Sequence, residues 1–187
     1  MPPRAAPTDY AAQAQAGAVT IAADFTGHSV GTQDGLLTTA DFVVVEVGVF
    51  GAPAAKLMLS IDDFSLRING GKKVIPREPY ELVVKSLKDP DYEEPETNKA
   101  SKTVVNSGGS KDGADPNAPP PALIPIPFEV RHGWELRVKR DSFPIGDRTL
   151  PQAGLLFFPY GSGTRGIRSI ELIYSGPAGK ATLSIHP

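Results

Sequence analysis

The sequence predicts an all-β fold, a single antiparallel β-sandwich interrupted by one long insertion, and three observations carry that prediction. Residues 150–185 hold three apolar stretches, LLFFPY, IRSIELIY and ATLSI, separated by Gly-rich turns with no helical pattern between them. In FVVVEVGVF, Val43, Val45, Val47 and Val49 recur at the two-residue period and give one strand face a β-branched packing surface. Asn69-Gly70-Gly71 stands between apolar runs, and Asn-Gly supplies the positive φ angles a tight turn requires.

In chain order, residues 1–17 (MPPRAAPTDYAAQAQAG) read as a flexible arm, and the domain proper spans residues 18–187. A first strand is expected over residues 18–22, followed by a polar loop rich in Gly and Thr. Residues 41–50 form the clearest strand, and Phe42, Val44 and Phe50 on its second face predict that this face too is partly covered. Gly51-Ala52-Pro53 ends it. Leu57, Leu59 and Ile61 alternate inward, then Phe64, Leu66 and Ile68 continue with the opposite parity, so Asp62-Asp63 marks a bulge or a crossing between sheets. Residues 73–75 are the return arm of the Asn69-Gly70 hairpin, and residues 80–87 (YELVVKSL) a further strand.

Residues 88–121 break the pattern. Their Pro, Gly, Ser and charged side chains bury too little surface to offset the entropy of ordering, which marks a disordered insertion in a sandwich loop. Residues 128–138 alternate at Phe128, Val130, Trp134, Leu136 and Val138, which favours a strand and is supported by Gly133; Val130, Trp134 and Val138 also fit i, i+4 spacing, so a short amphipathic helix stays open. Residues 154–160 and 167–174 read as the last hairpin, with residues 181–185 as an edge addition.

With 187 residues the chain suits one domain, and 19 basic against 21 acidic side chains leave a net charge of −2. No face carries the positive field that nucleic acid demands. There is no cysteine, which removes disulfides and thiolate chemistry, and no apolar run approaches the roughly 20 residues that cross a bilayer. The N-terminal residues hold one Arg and no apolar core, so they are not a signal peptide, but their Ala/Pro/Gln character matches the flank that follows one. The expected location is therefore periplasmic or extracellular, with a cytoplasmic protein bearing a frayed arm as the alternative.

FSLRINGGKK, LPQAGLLFFPY and IRSIELIY together resemble a bacterial group of telokin-like, immunoglobulin-fold domains of unknown function. The matching positions are Phe64 and Leu66, then Leu150, Pro151, Gly154 and Phe157, then Leu172 and Tyr174, and they cover about half the chain. The resemblance implies an immunoglobulin-like sandwich, exported or lipid-anchored, without known enzymatic activity. This chain departs from the group in lacking a lipobox cysteine and in carrying the long insertion, and no functional residue transfers.

Candidate sites are few. Asp89, Asp91, Glu93, Glu94 and Glu96 put several hard oxygens in a short run, the donor type calcium takes, but their spacing is not that of an EF-hand and the run reads first as a solvated, charge-extended loop. His28, His132 and His186 have no metal or triad spacing, no Gly-x-Ser-x-Gly elbow is present, and Gly161-Ser162-Gly163-Thr164-Arg165-Gly166 reads as a hairpin loop without a phosphate-loop lysine. Trp134 with Tyr160 or Tyr92 offers an aromatic platform for a sugar, against the plainer reading of Trp134 as a core residue. Arg131, Arg137, Lys139, Arg140 and Arg148 form a basic cluster suited to a partner contact, or a solvated face.

These features predict a non-enzymatic cell-envelope module for protein interaction or assembly, with no cofactor and no nucleic acid. In its sharper form, a segment around residues 16–25 adds as a strand to a neighbouring subunit. A carbohydrate-binding module using Trp134 and nearby tyrosines, and a metal-dependent hydrolase built on loop acids and a histidine, are the alternatives.

Overall fold

The computed structural model describes residues 1–92 and 126–187. Its first half contains β1 (Ala12–Ala16), β2 (Val19–Gly27), β3 (Ser29–Thr32), β4 (Gly35–Thr39), β5 (Phe42–Phe50), β6 (Lys56–Leu59), β7 (Phe64–Ile68), β8 (Ile75–Pro76), α1 (Tyr80–Val83) and β9 (Leu87–Lys88). The second half contains α2 (Phe128–Asp141), β10 (Gly146–Thr149), β11 (Gln152–Pro159), β12 (Ile170–Gly176) and β13 (Gly179–Ile185).

The valine face of β5 is where the sandwich closes. Antiparallel pairing gives one sheet in the order β1-β2-β5-β11 and a second in the order β13-β12-β7-β8. Val43, Val45, Val47 and Val49 are fully buried among Leu66, Ile170, Leu172, Leu183 and Ile185 of the facing sheet, each such side chain contributing about 1.5–3 kcal/mol. Phe64 anchors the centre, edge-on to Phe143 at 5.2 Å and tilted against Tyr174 at 5.1 Å between ring centroids. At one end Gly17 and Gly179 bring the β1–β2 and β12–β13 turns together, and a Cβ on Gly17 would lie 2.1 Å from the carbonyl oxygen of Ala178. The all-β sandwich expected from the sequence is thus the fold.

The parity change at Asp62-Asp63 is a crossing between sheets. Ile61–Asp63 forms a 3-10 turn capped by the Ser60 hydroxyl, which accepts the Asp62 N–H at 3.1 Å. Before the turn, β6 pairs with β10; after it, β7 pairs with β12. Asn69 and Gly70 have φ of 52° and 61°, as their sequence predicts. The hairpin is longer than expected, however, returning at β8 rather than over residues 73–75. Asn69 serves the neighbouring connection instead: its Oδ1 accepts from the Arg168 N–H at 2.7 Å and its Nδ2 donates to the Gly166 carbonyl at 2.8 Å.

Five expectations are corrected. The polar Gly/Thr segment is the β3–β4 hairpin, turning between Thr32 and Gly35, which is paired with it. Residues 80–87 form α1, a 3-10 turn and the two-residue β9, because Tyr80, Val83, Val84 and Leu87 follow a helical spacing that packs one face onto a core. Residues 128–138 belong to α2, not to a strand. The stretches 154–160 and 167–174 are not a hairpin: β11 pairs with β5, whereas β12 pairs with β7 and β13, so the connection between them crosses the sandwich. Finally, residues 1–17 are not a free arm. β1 pairs with β2 from Ala12↔Ala23 to Ala16↔Val19, and Tyr10 is buried. Because β2 is held on both sides, by β1 and β5 of the same chain, donating residues 16–25 to a neighbour would open the core.

Candidate functional site

The second face of β5 is covered, as Phe42, Val44 and Phe50 predict, and over Phe42 and Val44 its cover is helical. α2 lays Trp134 and Val138 onto Phe42, Val44, Leu155 and Phe157, joined by Val30, Leu37, Val83 and Leu87 from the β3–β4 hairpin and the α1 segment. Val130, Trp134 and Val138 lie at i, i+4 spacing and so share one helix face. Burial of that face outweighs the alternation that suggested a strand.

This packing decides the fate of the sequence-predicted sites. Trp134 meets Tyr92 edge-on at 5.7 Å but is only 5% exposed, so its ring faces are closed to a sugar. Tyr160 packs against the other core and does not join it. Arg137 donates to the Thr32 hydroxyl at 3.3 Å and pairs with Asp89 at 3.4 Å, while Arg140 pairs with Asp34 at 2.9 Å and Asp141 at 3.1 Å. Both arginines therefore fasten α2 to its own fold, and Arg131 is left exposed. Asp89 is held by Arg137 and by the Asp91 N–H at 3.0 Å; Glu93 and Glu94 lie outside the described residues. Among the described residues no three His, Asp or Glu side chains converge on a metal-sized site. The histidines are dispersed. His28 lies between the carbonyl oxygens of Phe42 (2.6 Å) and Ser162 (3.0 Å), His132 stacks on Phe128, and His186 stands near the Arg168 carbonyl.

Asp141, at the end of α2, is the most deeply buried charge. Burial alone would push its carboxyl up, but hydrogen bonds from Arg140 and the Gln33 N–H, together with the Met1 α-ammonium at 3.1 Å, hold it below the ordinary aspartate range. It ties the helix end to the β3–β4 turn. Its Oδ2 takes both hydrogen bonds and its Oδ1 has only the ionic contact with the Met1 ammonium, and with every partner coming from this chain it reads as an anchor.

An arrangement with room for a ligand among the described residues is a cleft of about 520 Å³ along the outer edge of β11. The Phe143 N–H donates to the Leu155 carbonyl at 3.0 Å and the Glu78 N–H to the Phe157 carbonyl at 2.8 Å, so both walls are hydrogen-bonded to the strand. Gly154 permits the first of these approaches, since a Cβ there would lie 2.4 Å from Phe143 Cα. Ile61, Phe143, Leu155 and Phe157 make the lining apolar, and Ile145 stands at the lip, 59% exposed. Glu78, Glu81, Lys139 and Arg148 also line it, and none has an ion-pair partner among the described residues. An apolar floor with uncommitted charges of both signs can bind an amphipathic chain. The sequence marked the basic members of this site, Lys139, Arg140 and Arg148; Glu78, Glu81 and Ile145 had no local signal, because only the tertiary fold brings them to β11. No family model, no curated protein and no solved structure matches this chain.

Proposed function

We propose that this protein is a non-catalytic interaction module of the cell envelope that holds an extended segment of a protein partner in the cleft beside β11. The observation that carries the reading is the pairing of an apolar floor with Lys139 and Arg148, neither of them ion-paired among the described residues. A segment with one large apolar residue and acidic residues placed against Lys139 and Arg148 complements both, and those two cations discriminate against basic residues there. Peptide recognition fits better than sugar recognition because Trp134 is buried.

Labelled peptides with a central Leu or Phe between acidic flanks test this by fluorescence anisotropy. Micromolar binding to the intact protein is expected, with at least a tenfold loss in Arg148→Glu and in Ile145→Asp. Equal binding of basic-flanked peptides, or unchanged binding by both variants, overturns it. Fractionation of cells expressing the protein from its own gene tests the envelope placement, and recovery in the cytosol alone would refute that part.

A further inference from the structure

The outer face of β2 and β5 carries a second recognition surface, separate from the cleft. Asp24 and Glu46 are directly opposite in the register of the two strands. Like charges in that position repel, and the pair needs a cation. The chain supplies one from its own N-terminal segment: Arg4 Nε donates to Glu46 Oε1 at 3.2 Å and its Nη2 to Oε2 at 2.8 Å, a two-pronged grip, and the same guanidinium pairs with Asp24. Beside the carboxylates the surface is flat, because Ala22, Gly48 and Ala153 form a cross-strand row. Tyr10 lies on that row. A Cβ on Gly48 would stand 2.8 Å from its ring, Phe50 meets it edge-on at 5.9 Å, and Arg4 stacks over it at 4.3 Å.

Beyond these side-chain contacts the occupying segment is held at its start by the Met1 ammonium, on Asp141 and on the Arg140 carbonyl, and its backbone makes no ladder bond to the sheet. Before β1 its regular structure is a single 3-10 turn, Pro7–Asp9. Arg4 and Tyr10 make the sheet-face contacts described above, while the surface beneath them is built into two central strands of the sandwich. A rigid receptor whose occupant is held by side chains and a chain end, with no strand pairing, is the arrangement of an exchangeable ligand.

We propose that this face is a receptor for arginine–aromatic peptide segments, filled in cis by residues 1–10 and open to a partner's segment of the same chemistry when the cis segment lifts. Arginine is specified over lysine because the two carboxylates and the Tyr ring together use the planar, forked guanidinium. The Asp24–Glu46 pair rejects acidic segments.

The test uses the full chain carrying Arg4→Ala and Tyr10→Ala, titrated with a fluorescein-labelled peptide of residues 1–10, MPPRAAPTDY. One-to-one binding is expected, at least tenfold tighter than to the unaltered protein, whose own segment competes. A peptide with its arginine replaced by lysine should bind at least fivefold more weakly, and one with alanine there more weakly still. Failure of the folded double variant to bind, or binding indifferent to the arginine, overturns the proposal. If circular dichroism shows the double variant unfolded, hydrogen exchange over residues 1–10 of the unaltered protein decides instead. A large excess of the peptide should accelerate that exchange, and unchanged exchange counts against the receptor.

Discussion

At the scale of single residues, Asp141 shows how a buried charge becomes a tether. Its folded carboxyl sits below the ordinary aspartate range, so its stabilisation is present above about pH 4 and is lost as the pH falls through the lower folded value. Asp141→Asn keeps an acceptor for the Gln33 amide but deprives Arg140 and the Met1 ammonium of their charge partner. A loss of about 1.5–3 kcal/mol is expected at pH 7. Urea denaturation of both proteins checks it: the gap in midpoint should be wide at pH 7 and should narrow towards pH 3. Asp63 has the opposite sign, since burial pushes its carboxyl up and folding favours its protonated form, so its contribution fades as the pH rises. The two carboxylates were indistinguishable by type in the sequence, because what separates them is the company each acquires on folding.

At the scale of elements, the helices explain where sequence reading stopped. β5 was legible because four valines at period two admit one structure, and the crossing at Asp62-Asp63 was legible because a parity change has a geometric meaning. α2 was not, because FEVRHGWELRVKR satisfies both periods, and only the apolar strip of Phe42, Val44, Leu155 and Phe157 beneath it decides between them. In α1 the spacing of Tyr80, Val83, Val84 and Leu87 was the missed signal, obscured by the β-branched pair in its middle. Pro79 at its N-cap agrees with it. Gly133 argued against a helix and now sits inside one, with nothing within 4 Å of where a Cβ would stand. Gly133→Ala should therefore stabilise the protein by about 0.5–1 kcal/mol, read as a rise in Tm. The cleft was half legible: its cations cluster in sequence, but its carboxylates and its apolar floor come from segments that meet only at β11.

At the scale of the whole molecule, the sandwich and the helical layer share one wall. Leu156 and Phe158 of β11 point into the first core, and Leu155 and Phe157 into the second. Neither layer can open without exposing the other, so the described fold should unfold in one step. Trp134, the single tryptophan, reports the helical layer, while far-ultraviolet circular dichroism reports mainly the sheets. Their thermal transitions should coincide, and two midpoints several degrees apart would refute the coupling. The close meeting of the turns at Gly17 and Gly179 has a consequence of another kind. It sets β1 and β13, one edge strand from each sheet, side by side. An open sandwich offers strangers rows of unspent amide groups at its sheet edges, the template on which chains stack into fibres. Here two of those rows are drawn together at one rim, so the missing Cβ of Gly17 narrows the room a foreign strand would need there.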